Sequence, residues 1–563
     1  MPTHTNALEA GQRRACNVHS ATGMGFGRRC WGALLLGLLL GLLLGLCFGA
    51  VAQPSTDQPP SRPLVYCADA SPEGFDPGLW DSAATGNVNA QMFQGLLAFK
   101  RGGTELVPRL AERWEVSADA RSFTFHLRRG VRFHRTAYFS PTRDFNADDV
   151  MFTFGRFVDA AHPFNQAFPA LFVYPQNLGL AAMVERIDKI DEHQVRFRLK
   201  APNVTFASYF AMSFAGIQSA EYGTQLLSQG KASRINNLPV GTGPYRFRSY
   251  KKDDLVRLQA NPDYWGRPQR TSQLIFVITR DPNVRVQKLL ARECQVIAAA
   301  RDQDVPALQR RADIRLEQAQ ALNISYLSYN MRRAPTQLRA VREALDIAID
   351  RDAIFRVMFP RGDAVQAVSA FPPAIPGHDK TLRNEHDPAR AKALLAEAGY
   401  AQGFEIDLWA LPLARPTNPN GQLLAQMLQA DWARIGVRAR IKTYEWGEYL
   451  KRAKKGEHDV YMSGWTGDTA DPDDFLSPNL TCAANAGGVK FCNTGFDRLV
   501  EQARGSTDPA QRAELYRQAQ AIFRLERPWS PIAHSTIYIP MLREVQGFVM
   551  SPSGKVDFED VYR

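Results

Sequence analysis

Between residues 404 and 442 the apolar positions change their period twice, and this change constrains the fold more than any other feature of the chain. "FEIDLWA" (404–410) alternates apolar and polar residues like a half-buried strand. "NGQLLAQMLQADWARI" (420–435) places apolar residues at helical spacing and stops at Gly436, and "VRARIKTYEW" then alternates again. This is one βαβ unit. "GEYLKRAKKGE" continues it with a second short helix and "DVYMSGW" (459–465) with a further strand. "DPARAKALLAEAGY" adds a helix with Asp387 as N-cap, Pro388 at the first helical position and Gly399 beyond the end. The pattern predicts an α/β architecture with partly parallel sheets.

In an open α/β sheet, ligands bind in the crevice beyond the carboxyl ends of the strands. "LPLARPTNPN" follows the strand at 404–410, and "TGDTADPDD" follows the strand at 459–465. If the two strands are parallel in one sheet, Arg415 and Asp468 emerge on the same edge. A cation and an anion facing one crevice suit a zwitterion. Other uses of these residues stay open, including a mutual surface salt bridge between Arg415 and Asp468. A calcium loop of EF-hand type needs ligands at alternate positions, a Gly at the sixth and a Glu at the twelfth; here the spacing fails and Phe475 interrupts it. Asp471 and Asp473, which flank Pro472, read as turn and N-cap residues.

At 563 residues, 45% hydrophobic and 22% charged, the chain is globular material too long for one core, so two or three domains are expected. The first 52 residues stand apart. "GRRCWGALLLGLLLGLLLGLCFGAVAQ" has a basic n-region, a Leu/Gly h-region and Ala50-Val51-Ala52 as an A-x-A cleavage site, which together read as an export signal over 1–52. Met24 is an alternative start, an uncleaved anchor is the alternative fate, and Leu46 before Cys47 lacks the small residue of a lipidation site. Of the formal net charge of +11, four arginines and one glutamate in residues 1–52 supply +3, leaving +8 on the remainder. That is mild, and "LKRAKKGEH" has the spacing of a solvated helix face, so no nucleic-acid partner is expected.

Beyond the signal remain Cys67, Cys294, Cys482 and Cys492, an even number for an oxidising compartment. Cys482 and Cys492, ten residues apart, close a short loop, which leaves Cys67 to pair with Cys294. Neither pair has zinc-ligand spacing. Hydrolase, zinc-protease, P-loop and dinucleotide motifs are absent, and the histidines are scattered singly. No catalytic residue, metal or cofactor is expected.

Several segments carry a family resemblance: "GLLAFKRGGTELVPRLAERWEVSADARSFTFHLRRGVRFH", "FNADDVMFTFGR", "LPVGTGPYRF", "NISYLSYNMRR", "TYEWGEYLKRAKKGEHD" and "GWTGDTADPDDF". From about Leu64 to the C-terminus the chain resembles the family 5 solute-binding proteins of bacterial peptide ABC transporters, and within them the dipeptide binders. The resemblance implies a class II periplasmic binding protein with two hinged α/β lobes, mixed sheets and an accessory domain inserted in the first lobe. The implied boundaries are lobe I at 62–97, 243–320 and 538–563, the accessory domain at 98–242 and lobe II at 321–537.

It also implies a function: capture of dipeptides in the periplasm and delivery to inner-membrane ABC permease subunits with cytoplasmic ATPases, by a monomer that is not an enzyme. Asp468, in "GWTGD", is then expected to hold the peptide amino group, and Arg415, in "LARPTNP", the carboxylate. Trp409, Trp446, Trp465, Gly467 and Asp81 are expected around the ligand. The chain departs from dipeptide binders at Asp81, where they carry a hydroxyl residue, and at Thr417, where they carry a tyrosine; both changes bear on side-chain preference. "RTAYFSPTRDFNADDVMFTF" also resembles binders associated with antimicrobial-peptide resistance. The alternatives are the same fold with other cargo (haem, glutathione, a metal chelate, antimicrobial or longer peptides) or an exported hydrolase using the carboxylates of 468–474.

Overall fold

The computed structural model describes residues 62–80, 82–484 and 491–563. The export segment at 1–52 and Asp81 lie outside the described residues.

The predicted βαβ unit is present, with a strand at Phe404–Trp409, a helix at Gly421–Ala433 and a strand at Val437–Lys442. Asn420 starts the helix by accepting the Leu423 amide on its side chain, and Gly436 ends the connection at φ +87. A Cβ on Gly403 would collide with the Gly436 carbonyl, so the turn before the first strand and the turn after the helix stack directly on one another. The next helix, Trp446–Lys455, leads to the strand Val460–Thr466. Phe404–Trp409 pairs parallel with Val437–Lys442 on one side and, through Leu408 opposite Val460 and Trp409 opposite Tyr461, parallel with Val460–Thr466 on the other. The segments after residues 409 and 466 therefore leave the sheet at one edge.

These three strands form half of a six-stranded mixed sheet in the order Val365–Gln366, Trp529–His534, Asn323–Tyr329, Val460–Thr466, Phe404–Trp409, Val437–Lys442. A second, seven-stranded mixed sheet runs Ile314–Gln320, Thr536–Leu542, Val296–Ile297, Leu64–Ala68, Gln273–Ile278, Leu255–Ala260, Tyr245–Lys251. Each sheet has its own apolar core, so the molecule has two lobes. The chain passes between the sheets after Gln320 and again at Ser535. The two passages are bonded to each other: Ser535 donates its amide to the Asn323 side chain at 2.9 Å, and Ala321 donates its amide to the Ser535 carbonyl at 3.2 Å. Two adjacent connections of this kind form a hinge.

A four-stranded antiparallel sheet, Ala111–Val116, Ser122–Leu127, Gln194–Leu199 and Val184–Asp191, lies within the sequence between the first and second strands of the seven-stranded sheet. Alternation in "SFTFHL" turns Phe123 and Phe125 inward, onto Phe206 at 5.0 Å and Phe210 at 4.4 Å. Both expected disulfides are present, with Cα separations of 5.8 Å for Cys67–Cys294 and 4.4 Å for Cys482–Cys492. The first ties the strand Leu64–Ala68 to the segment entering its parallel neighbour Val296–Ile297. Among the described residues, no helix is long and apolar enough to cross a membrane.

The cores enclose histidines that must stay neutral. His458 is fully buried between Trp409 and Tyr461, and neither ring nitrogen has a hydrogen-bond partner among the described residues. Burial, and after it the charge of Arg333, pull its pKa down to about 3. A depressed imidazole binds fewer protons folded than unfolded, so it withdraws stability as pH falls from about 6.5 toward 3. His458→Phe removes this titration and keeps an aromatic ring. Denaturant titrations should show the variant gaining on the native protein by up to about 1.4 kcal/mol per pH unit below pH 6.5, with a constant difference above it. A pH-independent difference across the range would contradict the buried neutral imidazole.

Candidate functional site

The segment after Phe404–Trp409 is pinned by a reciprocal pair of backbone bonds, Arg415 amide to Asn418 carbonyl and the reverse, both 2.9 Å. Pro416 and Thr417 form the tip between them, and the tight turn sets the direction from which Arg415 projects. Its guanidinium stands 5.6 Å from the centre of the Trp446 ring and forms an ion pair with Asp69. Asp69 follows the strand Leu64–Ala68 of the seven-stranded sheet, so this pair joins the two lobes. Burial pushes the Asp69 carboxyl up, but Arg415 and the nearby Arg285 outweigh it and hold the carboxyl below the usual range. Arg285 is itself fixed by bonds of 2.9 Å to the carbonyls of Thr279 and Arg280.

The space beside Arg415, bounded also by Asp69, Arg285, Asp302, Asp363 and Tyr538, measures about 30 Å³. That is room for about two waters. On its far side Arg361 contacts Asp302 and Asp363, each at 3.1 Å. Burial, then the neighbouring Asp363, push Asp302 up to about 6.

Asp468 lies in the segment after Val460–Thr466 and is almost fully buried. Its Oδ1 is 2.5 Å from Lys555 Nζ. Lys555 comes from the C-terminal return, held against the helix Ala83–Met92 because the Val556 amide reaches Asn87 at 3.2 Å and its carbonyl accepts from Gln91 at 2.9 Å. Val556 and Phe558 belong to the core of the seven-stranded sheet, so this pair, too, joins the lobes.

The four aspartates of 468–474 do not converge. Asp471 pairs with Arg512 at 2.8 Å and accepts the Asp473 amide at 3.0 Å, the expected turn role. Asp473, expected as an N-cap, is instead the first residue of the helix Asp473–Leu480 and a buried junction, paired with Arg504 at 3.1 Å and accepting from Thr205 and Tyr209 at 3.3 Å. Asp474 Oδ2 accepts the backbone amides of Asp468 at 2.5 Å and Thr469 at 2.7 Å, which shapes the turn that presents Asp468. Among the described residues no group of three or more His, Cys, Asp and Glu is placed to hold a metal.

The remaining expected site residues divide. Trp446, expected around the ligand, stands against Arg415. Trp465 is half-buried, edge-on to Tyr174 at 5.7 Å, and its indole N–H has no acceptor among the described residues. Gly467 donates its amide to the Leu322 carbonyl at 2.7 Å, and a Cβ there would meet the Phe475 ring at 2.6 Å, so its part is close packing beside the hinge. Trp409 is a correction. At 1% exposure it packs with Tyr444 and Tyr449 inside the six-stranded lobe, because the last residue of a central strand turns its large apolar side chain into the core. Asp81 lies outside the described residues. Asp69 and Lys555 were missed, since neither stands in a segment with a periodic or spacing signal; only the approach of the lobes brings them to Arg415 and Asp468.

Residues 105–487 match the family model for bacterial extracellular solute-binding proteins, family 5. The chain belongs to this family. This family 5 protein is 46% identical over 518 residues to di/tripeptide-binding protein 1 of Pseudomonas aeruginosa, an alignment covering 91% of this chain and 96% of that one. It is 42% identical over 506 residues to the dipeptide-binding protein of Escherichia coli, covering 89% and 94%. Its fold superimposes with a TM-score of 0.86 on a dipeptide-binding protein from Pseudoalteromonas solved with Met-Leu, at 36% identity over 89% of this chain and all of the other.

The acidic turn of this family 5 protein carries a titration of its own. Burial and the neighbouring Asp468 push Asp474 up to about 8. A raised carboxyl contributes stability that is full below its unfolded pKa near 3.8 and is lost as pH rises through 8. Asp474→Asn keeps an acceptor for the two amides and cannot ionise. Thermal melts at pH 4, 6 and 8 should show the variant gaining steadily on the native protein and the gain levelling above pH 8. A variant that loses most at pH 8 would contradict this assignment.

Proposed function

We propose that this chain is the periplasmic substrate-binding receptor of an ABC importer and that it captures dipeptides by their charged ends in the cleft between its lobes. In this reading Asp468 faces the peptide ammonium and Arg415 the carboxylate. The observation that carries it is the parallel placement of the strands Phe404–Trp409 and Val460–Thr466, which sends one cation and one anion off the same sheet edge. Each is already matched with an opposite charge across the cleft, Arg415 with Asp69 and Asp468 with Lys555, so the site has the charge pattern a zwitterion needs. The dipeptide binders named above, and the one solved with Met-Leu, support the same cargo class.

A dipeptide spans only about 7 Å between its termini, at roughly 3.5 Å per residue, so fixed partners for both ends select for length. Each charge-assisted bond contributes about 1.5 to 3 kcal/mol, and closing the lobes removes the water that would weaken it. The half-buried Trp465 and the Trp446 ring beneath Arg415 are the walls assigned to this cleft. Lobe I comprises 62–97, 243–320 and 538–563 in this proposal, lobe II 321–537, and 98–242 is the accessory domain. Export by cleavage after Ala52 and docking of the closed form to permease subunits complete the cycle.

Calorimetric titration tests the clamp. Asp468→Asn keeps the shape and removes the charge, leaving the ligand ammonium without its partner at a cost of roughly 3 to 5 kcal/mol, at least about a hundredfold in Kd. Arg415→Met should do the same for the carboxylate, and N-acetylated or C-amidated dipeptides should bind the native protein comparably poorly. Unchanged Kd in both variants would overturn the reading.

A further inference from the structure

The outer edge of the six-stranded sheet carries a second cavity. Its edge strand, Val365–Gln366, pairs with Trp529–His534 and is separated from Val460–Thr466, the strand that leads to Asp468, by two others. This strand is one wall of an open space of about 420 Å³, and the irregular segment 373–384 is the other. That volume falls in the range of small-molecule sites, about 300 to 1,000 Å³. Bonds to its surroundings fix the second wall. Gln520, on the helix Pro509–Glu526, donates to the Gly377 carbonyl at 2.6 Å and accepts the Asp379 amide at 3.2 Å. Asn384 donates to the Ala367 carbonyl at 3.1 Å, and Arg524 to the Arg383 carbonyl at 3.1 Å.

Two cations line the cavity, Lys380 and Arg383, and no carboxylate does. Neither cation has an ion pair among the described residues; Arg383 uses Nη1 on the carbonyls of Lys380 and Leu382, both at 2.6 Å. The acids nearest in the sequence and on the neighbouring helix are engaged elsewhere. Asp379 accepts the amide and hydroxyl of Thr381 at 2.9 and 2.6 Å, Glu385 pairs with Arg390 at 2.6 Å, and Asp352 accepts from Gln366 at 2.7 Å. Burial pulls the His378 imidazole below its ordinary value against the opposing charge of Asp379, so the positive charge here belongs to Lys380 and Arg383. Both His378 ring nitrogens and Asn384 Oδ1 are buried without a partner among the described residues, which leaves polar capacity in this wall that the protein does not itself satisfy. Val365, Val368, Pro373 and Leu382 supply apolar surface.

We propose that this cavity is a second ligand site, separate from the dipeptide cleft, for a small organic carboxylate with an apolar body. The carboxylate is met by Lys380 and Arg383, and the hydrocarbon covers Val365, Val368 and Leu382. A zwitterion such as a dipeptide is disfavoured, because its ammonium would lose water and find no carboxylate in the lining. A bare anion gains the charge contacts and leaves the apolar wall in water.

Hexanoate, acetate and 6-aminohexanoate separate these cases in NMR titrations of the native protein. Hexanoate should saturate with a Kd of about 1 mM or below. Acetate, which lacks four methylenes, should bind at least about tenfold more weakly, and 6-aminohexanoate, which adds the ammonium, should also bind more weakly than hexanoate. Lys380→Gln should weaken hexanoate by about threefold, and the double variant with Arg383→Gln by at least about tenfold. Lys380 is exposed and makes no ion pair, so its variant remains informative even where Arg383→Gln disturbs the loop. The carboxylate partner proposed in the cleft is the competing location, and Arg415→Met should leave hexanoate binding unchanged. No saturation in the millimolar range, undiminished binding in the Lys380 and double variants, loss of binding in Arg415→Met, or acetate or 6-aminohexanoate binding as tightly as hexanoate would overturn the proposal. None of these results depends on whether dipeptides bind at Asp468 and Arg415.

Discussion

Parallel pairing of Phe404–Trp409 with Val460–Thr466 is the constraint on which the rest of the site depends. Parallel neighbours end on the same edge of a sheet, and their following loops must leave together. In the proposed clamp Arg415 and Asp468 meet one crevice for that reason, without any direct interaction between the two loops being required. The lobe of the seven-stranded sheet joins it through two passages of chain bonded to each other at Asn323 and Ser535, so that whatever faces the crevice from that sheet is carried on a hinge. Asp69 and Lys555 are carried in this way.

The acidic turn shows how one run of like charge is distributed among different tasks. Asp471 and Asp473 each have an arginine, and Asp473 also gathers hydroxyls from the accessory segment. Asp474 uses one oxygen to fold the turn by accepting two backbone amides. Asp468 is paired with the ammonium of Lys555, from the C-terminal return. Repulsion between four neighbouring carboxylates is relieved by separate partners for three and by the raised pKa of the fourth, Asp474.

Local patterns made much of this legible in the sequence. Period changes between 404 and 465 located these strands and helices to within a residue or two, except that the alternation expected through Trp446 ends as a strand at Lys442 and Trp446 begins the next helix. The spacing of Cys482 and Cys492 fixed the short disulfide and, by elimination, the long one. Trp409 was misread because a tryptophan beside a binding loop looks the same whether the strand's last side chain turns inward or outward, and the core took it. Asp473 was misread because its partners, Arg504, Thr205 and Tyr209, come from far along the chain. Asp69 and Lys555 were illegible for the same reason: their role arises from lobe closure, and a lone Asp after a strand or a lone Lys after a glycine carries no local signature.

The central claim is that a dipeptide is held by its two charged ends, the ammonium on Asp468 and the carboxylate on Arg415. A crystal structure of the protein grown with Ala-Ala or Met-Leu tests it most directly. The account predicts the ligand ammonium on Asp468 and its carboxylate on Arg415, each at about 2.8 Å. A ligand bound elsewhere, with both ion pairs intact, would contradict it.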